Sequence, residues 1–298
     1  PSCNVEALGE GYYCIEGEQE AFEKALLQLY SREDVVTIQP DYEYHFLETS
    51  AITNDSSVYK QWGLYNDGSY SYTDDEGEQI QAVEGIDINA QSAWQQFQSK
   101  DEVVVAVLDT GVDYKHEDLK RSMWKNPKEI PGNGKDDDGN GYVDDVYGWD
   151  FYNNDKSVCS YKENGRAKEQ DNDNHGTHCA GIIAATANNG VGIAGVASNV
   201  NVKIMSVKVL GGLNGATTTS KLIKGIRYAV SNGADIINAS WGGWVNAKED
   251  NALKSVIQHS GVLVVAAAGN AGENNDTKAC YPANYGKELD NVITVGSI

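Results

Sequence analysis

Three side chains of this 298-residue chain stand in settings suited to nucleophilic acyl transfer. Asp109 closes the apolar run VVVAVLD, His175 opens HGTHCAGI, and Asn270 sits in the glycine turn of AAAGNAG. A carboxylate that fixes an imidazole's tautomer lets that imidazole take a proton from a hydroxyl. A side-chain amide then steadies the oxyanion that forms. Taken singly, an aspartate at a strand end is usually a loop or capping residue, and a histidine before a helix usually a cap. Their joint occurrence carries the assignment.

Such distant residues need a scaffold. Nearly uniform apolar runs predict strands at 103–109, 202–209, 235–239, 262–267 and 291–296, and helical periodicity predicts helices at 176–187, 218–232 and 247–259. Within 218–232, Leu222, Ile223, Ile226, Ala229 and Val230 form one stripe. Strands apolar on both faces, alternating with one-sided helices, predict an α/β fold: a parallel sheet with helices on both faces. Ligands of such sheets sit beyond the strand C-termini, where Asp109 and Asn270 fall.

At these residues the chain resembles the subtilisin-like serine peptidases, the subtilases, over roughly Gln61 to Ile298. The motif order Asp, His, oxyanion Asn matches. The resemblance implies Asp109 and His175 as members of a Ser-His-Asp triad and Asn270 as the oxyanion donor. It also implies two substrate walls, Ser240-Trp241-Gly242 and Ala267-Ala268-Gly269, for an extended polypeptide. After Asn270 the only serine is Ser297 in VGSI, expected at the end of a buried strand and lacking the family's following Ala and Pro. It is rejected as the nucleophile. The chain is therefore expected to be a fragment, inactive as given.

The same resemblance suggests three parts. Residues 1–48 read as the C-terminal portion of a propeptide, with strand YYCIEG, a helix over Glu18 to Tyr30 bearing Phe22, Ala25, Leu26 and Leu29 on one face, and strand DVVTIQPDYEYHF. Residues 49–95 read as a polar processing linker and the mature N-terminal segment, and 96–298 as the catalytic domain. The partners implied are a polypeptide substrate and the chain's own propeptide, and the setting secreted or cell-surface. A non-catalytic peptide-binding relative is the competing expectation.

Calcium is the expected cofactor, at three candidate sites. The first, implied by the family, is Asp118 and Asn189 with carbonyls of the loop carrying Ala187, Val191 and Ile193. The second is Asp150, Asn153 and Asp155 in GWDFYNND, resembling a calcium loop of thermostable members. The third is Asp136, Asp138 and Asn140, which with Gly141 spell the first half of an EF-hand loop; Tyr147 stands where that motif needs Glu, with Asp144 and Asp145 as substitutes. An acidic solvated turn explains the third group equally well.

A net charge of −21 opposes binding to nucleic acid or an anionic membrane. No apolar run is long enough for a membrane span. Five cysteines form neither a metal spacing nor an even disulfide framework, and a Cys3–Cys14 bridge is left open. Gly190 to Gly195 spells GxGxxG, but after a helix and before a strand, the reverse of a dinucleotide site.

Overall fold

The computed structural model describes residues 3–9, 11–17, 19–38, 53–73, 77–159, 174–212, 214–243 and 251–297. The chain forms two compact units, Pro1–Ser50 and Ala51–Ile298.

In the first unit, strands β1 (Asn4–Gly9) and β2 (Tyr12–Glu16) pair antiparallel, and helix α1 spans Gln19–Tyr30. β1 was not foreseen. The NVEALG segment takes the hairpin partnership because a tight turn at Gly11, φ +86°, closes at little entropic cost. The strand expected over DVVTIQPDYEYHF does not form in its described part, through 38; the remainder lies outside the described residues. On α1 only Ala21 is buried, with Ala25, Leu26 and Leu29 half-buried and Phe22 exposed. A hairpin and one helix enclose little core of their own. No disulfide joins Cys3 and Cys14, since the register places Asn4 opposite Glu16 and Cys14 opposite Glu6.

The second unit opens with a 3-10 turn at Val58–Lys60, the hairpin β3 (Ser71–Thr73) and β4 (Gln79–Gln81), and helix α2 (Ala90–Gln96). This stretch, expected as a polar linker, buries Val58, Leu64 and Ala90 against Ala194. Then follow β5 (Ser99–Asp109), β6 (Gly148–Asp150), α3 (Asn174–Ala184), β7 (Val200–Lys208), α4 (Thr219–Ser231), β8 (Ile236–Ala239), α5 (Asn251–Gln258), β9 (Leu263–Ala267) and β10 (Val292–Val295). Six strands form one parallel sheet in the order β10-β9-β8-β5-β7-β6. At three residues, β6 is too short to show a period.

Strand parity sorts the core. On β5, Val104, Ala106 and Leu108 share a cluster with Leu222 and Ile226 of α4 and Leu253 and Ile257 of α5. Val105 and Val107 share the other cluster with Ala180 and Ala184 of α3. Asp109 has the odd parity of the α3 face. Close packing fixes these layers: a Cβ on Gly225 would lie 2.5 Å from Val209 Cγ1. β10 departs from the expected buried strand. It lies at the sheet edge, paired with β9, and Ile293 and Val295 are about half exposed.

Candidate active site

Asp109 ends β5 fully buried, and His175 stands in the first turn of α3 with its side chain 53% exposed. Their contact is His175 Nδ1 to Asp109 Oδ1 at 2.7 Å. The short approach depends on glycine. A Cβ at Gly176 would sit 2.3 Å from Gly111 O and 3.0 Å from Asp109 Cβ, so any larger residue there would push α3 off the strand. The backbone N–H of Thr110 also donates to Asp109 Oδ1, at 2.7 Å, and the N–H of Gly176 donates to Thr110 Oγ1 at 3.1 Å. Asp109 Oδ2 is buried with no hydrogen-bond partner.

Below this pair lies a buried cation. Lys208, at the end of β7, is wholly enclosed and its Nζ donates to Thr110 O at 2.7 Å. Sequence reasoning missed it because one lysine ending an apolar run reads as the point where the strand meets solvent. Cys179, one turn along α3, holds Sγ 4.0 Å from His175 Nδ1. Burial pushes its thiol pKa up, opposed by a hydrogen bond with Ser240.

Asn270 lies in the loop after β9, exposed, at the same C-terminal edge of the sheet as Asp109. It lines a cavity of about 430 Å³ with Ala268, Gly269, Cys280 and Ser297 among its walls. Gly269 adopts φ +112°, which a side chain would strain. The two expected walls flank this edge. Trp241, after β8, anchors one by donating Nε1–H to Leu108 O at 2.8 Å, while Ser240 Oγ accepts from Asn238 Nδ2. The other runs through Ala267, opposite Val295, and Ala268, whose N–H donates to Val295 O. Gly242 faces Cys280 Sγ, with 2.7 Å left for a Cβ.

A model of the subtilase family matches residues 100–298. The chain belongs to the subtilase family. Among its relatives, the major intracellular serine protease of Bacillus subtilis is 39% identical over 219 residues, 72% of this chain and 57% of that protein. Thermitase of Thermoactinomyces vulgaris is 36% identical over 193 residues, 65% of this chain and 54% of the other. The halolysin-like extracellular serine protease Nep of Natrialba magadii is 30% identical over 244 residues, 82% and 37% of the two chains. The chain thus spans less than two thirds of each relative's length.

This subtilase places the three acidic groups in distinct settings. Asp118, 2% exposed, meets the 187–193 loop: Oδ1 accepts from Asn189 Nδ2 at 2.7 Å and Oδ2 from the N–H of Ile193 at 3.1 Å. Val191 N–H donates to Asn189 Oδ1 at 2.7 Å, and Ala187 packs beside α2. A further member went unforeseen. Asp55, 4% exposed, accepts from the N–H groups of Asn188 and Asn189, both at 2.9 Å. Its only sequence signal was an acid within NDSSVYK, far from the loop it joins.

Asp150 and Asn153 meet directly, through Asn153 Nδ2 to Asp150 Oδ2 at 2.9 Å, and Asp155 pairs with Asp150 along the backbone. Asp155 is exposed whereas Asp150 is buried. Burial pushes Asp150 up to about 6, against hydrogen bonds from Asn153 that pull it down.

The third group is larger than the half EF-hand implied. Asp136 and Asp138 both accept from the N–H of Asn140 at 3.0 Å, as in a calcium-type turn. Glu129, from before the motif, brings a carboxylate that with Asp138 and Asp145 offers ligand atoms all within 4.8 Å of one another. Asp145 receives Tyr228 Oη–H at 2.6 Å and is held above the usual range by burial. Asp144 instead turns to the Lys156 ammonium, which holds it below that range. Tyr147 stacks on Tyr114 with centroids 4.3 Å apart, so it is not a ligand.

Proposed function

We propose that this chain carries the acid, base and oxyanion donor of a calcium-stabilised serine endopeptidase acting on polypeptides. The observation that carries the reading is the 2.7 Å contact between buried Asp109 and His175 at the sheet edge that also presents Asn270. Asp109 accepts the Nδ1 proton, which leaves Nε2 of the half-exposed ring as the base for a serine hydroxyl. Developing positive charge on His175 is then stabilised by a carboxylate already out of water. Asn270 supplies an amide for the tetrahedral oxyanion, and the strand ends at Ser240–Gly242 and Ala267–Gly269 supply backbone for the substrate. No serine of the chain is assigned as the nucleophile, and on this reading the chain by itself is inactive.

Calcium fits the Asp118 group best. Two carboxylates, Asp55 and Asp118, are almost wholly buried, and their hydrogen-bond partners are neutral amide groups. Buried anions so held cost several kcal/mol, which a hard cation offsets. Gly192 faces Asp118, where a Cβ would stand 2.5 Å from Oδ2. Asp118, Asp55, Asn189 and carbonyls at Ala187, Val191 and Ile193 would hold the ion, which supplies charge balance and pins the loop. Calcium is also proposed for the Asp150 and Asp136–Asp138 groups.

A secreted or surface setting is supported by the −21 charge and by the extracellular relative from Natrialba; the Bacillus relative is named as intracellular. No helix among the described residues is long and apolar enough to cross a membrane. The first unit is read as propeptide.

The test is to read the coding sequence in frame past Ile298. A Gly-Thr-Ser-x-Ala segment ahead of a helix supports the peptidase. Another residue at the nucleophile position overturns it and leaves a peptide-binding module.

A further inference from the structure

Lys208 is the only lysine wholly buried among the described residues, and the proposed chemistry leaves it unused. Register fixes where it lies. In the parallel sheet Asp109 on β5 stands opposite Lys208 on β7, which stands opposite Asp150 on β6. Cross-strand neighbours share a face, so one row carries acid, ammonium and acid, all three wholly buried. Next to this row Thr110, 4% exposed, engages every polar group it has. Its N–H donates to Asp109 Oδ1 at 2.7 Å, its Oγ1 accepts from the Gly176 N–H at 3.1 Å beside His175, and its carbonyl receives Lys208 Nζ at 2.7 Å. The lysine stem also underlies the turn, since a Cβ at Gly111 would lie 3.3 Å from Lys208 Cδ. Methionine would fill much of the same space with no charge to desolvate. What the ammonium alone supplies is a donor and a positive charge under the turn.

We propose that Lys208 is a positioning residue for the Asp109–His175 pair, acting through Thr110. Its Nζ holds the Thr110 carbonyl. Thr110 in turn holds the Asp109 carboxylate through its N–H and the start of α3 through its hydroxyl. Strand and helix are thereby referred to one anchored residue, which keeps the 2.7 Å contact between carboxylate and imidazole. No proton passes through Lys208. The positioning needs only the residues described; its catalytic consequence rests on the peptidase reading.

The test uses this chain, labelled with nitrogen-15 at histidine and lysine, in solution NMR. The proton between His175 Nδ1 and Asp109 should resonate far downfield of the backbone amides, and its absence in His175→Ala assigns it among the five histidines. In Lys208→Met, with cooperative thermal unfolding retained, that resonance should be lost to solvent exchange. Thr110→Val, which removes only the hydroxyl that anchors Gly176, should weaken it in the same way. An unchanged resonance in folded Lys208→Met would overturn the proposal. Should that variant fail to fold, Thr110→Val decides, and an unchanged resonance there overturns the relay. Independently of any variant, the unmutated chain should show a lysine ammonium sheltered from solvent exchange; the lack of one would also overturn the proposal. In a protein carrying the nucleophile, Lys208→Met should lower kcat by about 10²-fold with KM little changed. An unchanged kcat would overturn the catalytic consequence, whereas a parent protein that hydrolyses no peptide would overturn the peptidase reading and leave the resonance result standing.

Discussion

Asp109 and Asp118 are both aspartates with almost no exposure, yet their surroundings give them opposite tasks. Asp109 faces an imidazole at 2.7 Å, a partner able to take up charge at the moment of reaction. Asp118 faces an amide side chain and a backbone N–H, partners whose charge never changes. On the proposed reading the first carboxylate is matched by a base that cycles, and the second by dipoles whose shortfall in positive charge a permanent cation would make up. Role follows from what the neighbouring atoms can do, not from the acid or its burial.

The sharpest way to break this contrast is at Asp109. In a protein carrying the nucleophile, Asp109→Asn should lower kcat by about 10⁴-fold, because an amide no longer fixes the working tautomer. Steady-state peptide hydrolysis measures it; a loss under tenfold would place Asp109 beside the chemistry, not in it. Asn270→Ala should cost about 10²–10³-fold in kcat, with KM little changed, a range known from subtilisin itself.

On the calcium side the readout is stability. Asp118→Ala should lower the rise in melting temperature that calcium gives the parent chain by the share of that one site. At 100 times the dissociation constant one site's share reflects about 2.7 kcal/mol. The Asp109 variant should keep it, and a variant losing both properties would show that the two regions are not separable.

Smaller effects probe the acidic loops. Tyr228→Phe removes the only hydroxyl that reaches buried Asp145 among the described residues, and should cost about 1–3 kcal/mol in urea unfolding. Asp150 gives a pH signature. Its carboxyl, raised from 3.8 to about 6, binds a proton more tightly when folded. It therefore adds stability below about pH 3.8 and loses that contribution as pH rises through 6. In chelator, thermal melts of Asp150→Asn should lack this decline; an unchanged pH profile would remove Asp150 as its source.

Much of this was legible in the sequence because it is periodic or local. Five strands of the main sheet and four of the five α-helices announce themselves through apolar runs and stripes, and parity on β5 then assigns Asp109 to the face where α3 begins. What stayed hidden depends on contacts between segments with no local pattern. Asp55 reaches a loop more than a hundred residues away, Glu129 lies outside the motif it completes, and Lys208 is polar within a buried layer because Thr110 O receives it. The first unit misled for another reason. The strand at Tyr12–Glu16 was read correctly, but which neighbour pairs with it is decided by turn length, and the nearer NVEALG segment prevailed.

The most direct test of the peptidase account is fluorophosphonate labelling of the protein expressed from a coding region running past Ile298. The account predicts one modified serine, outside the residues described, whose labelling slows by at least about 10³-fold in His175→Ala. Absence of labelling, or labelling at an undiminished rate without His175, would contradict it.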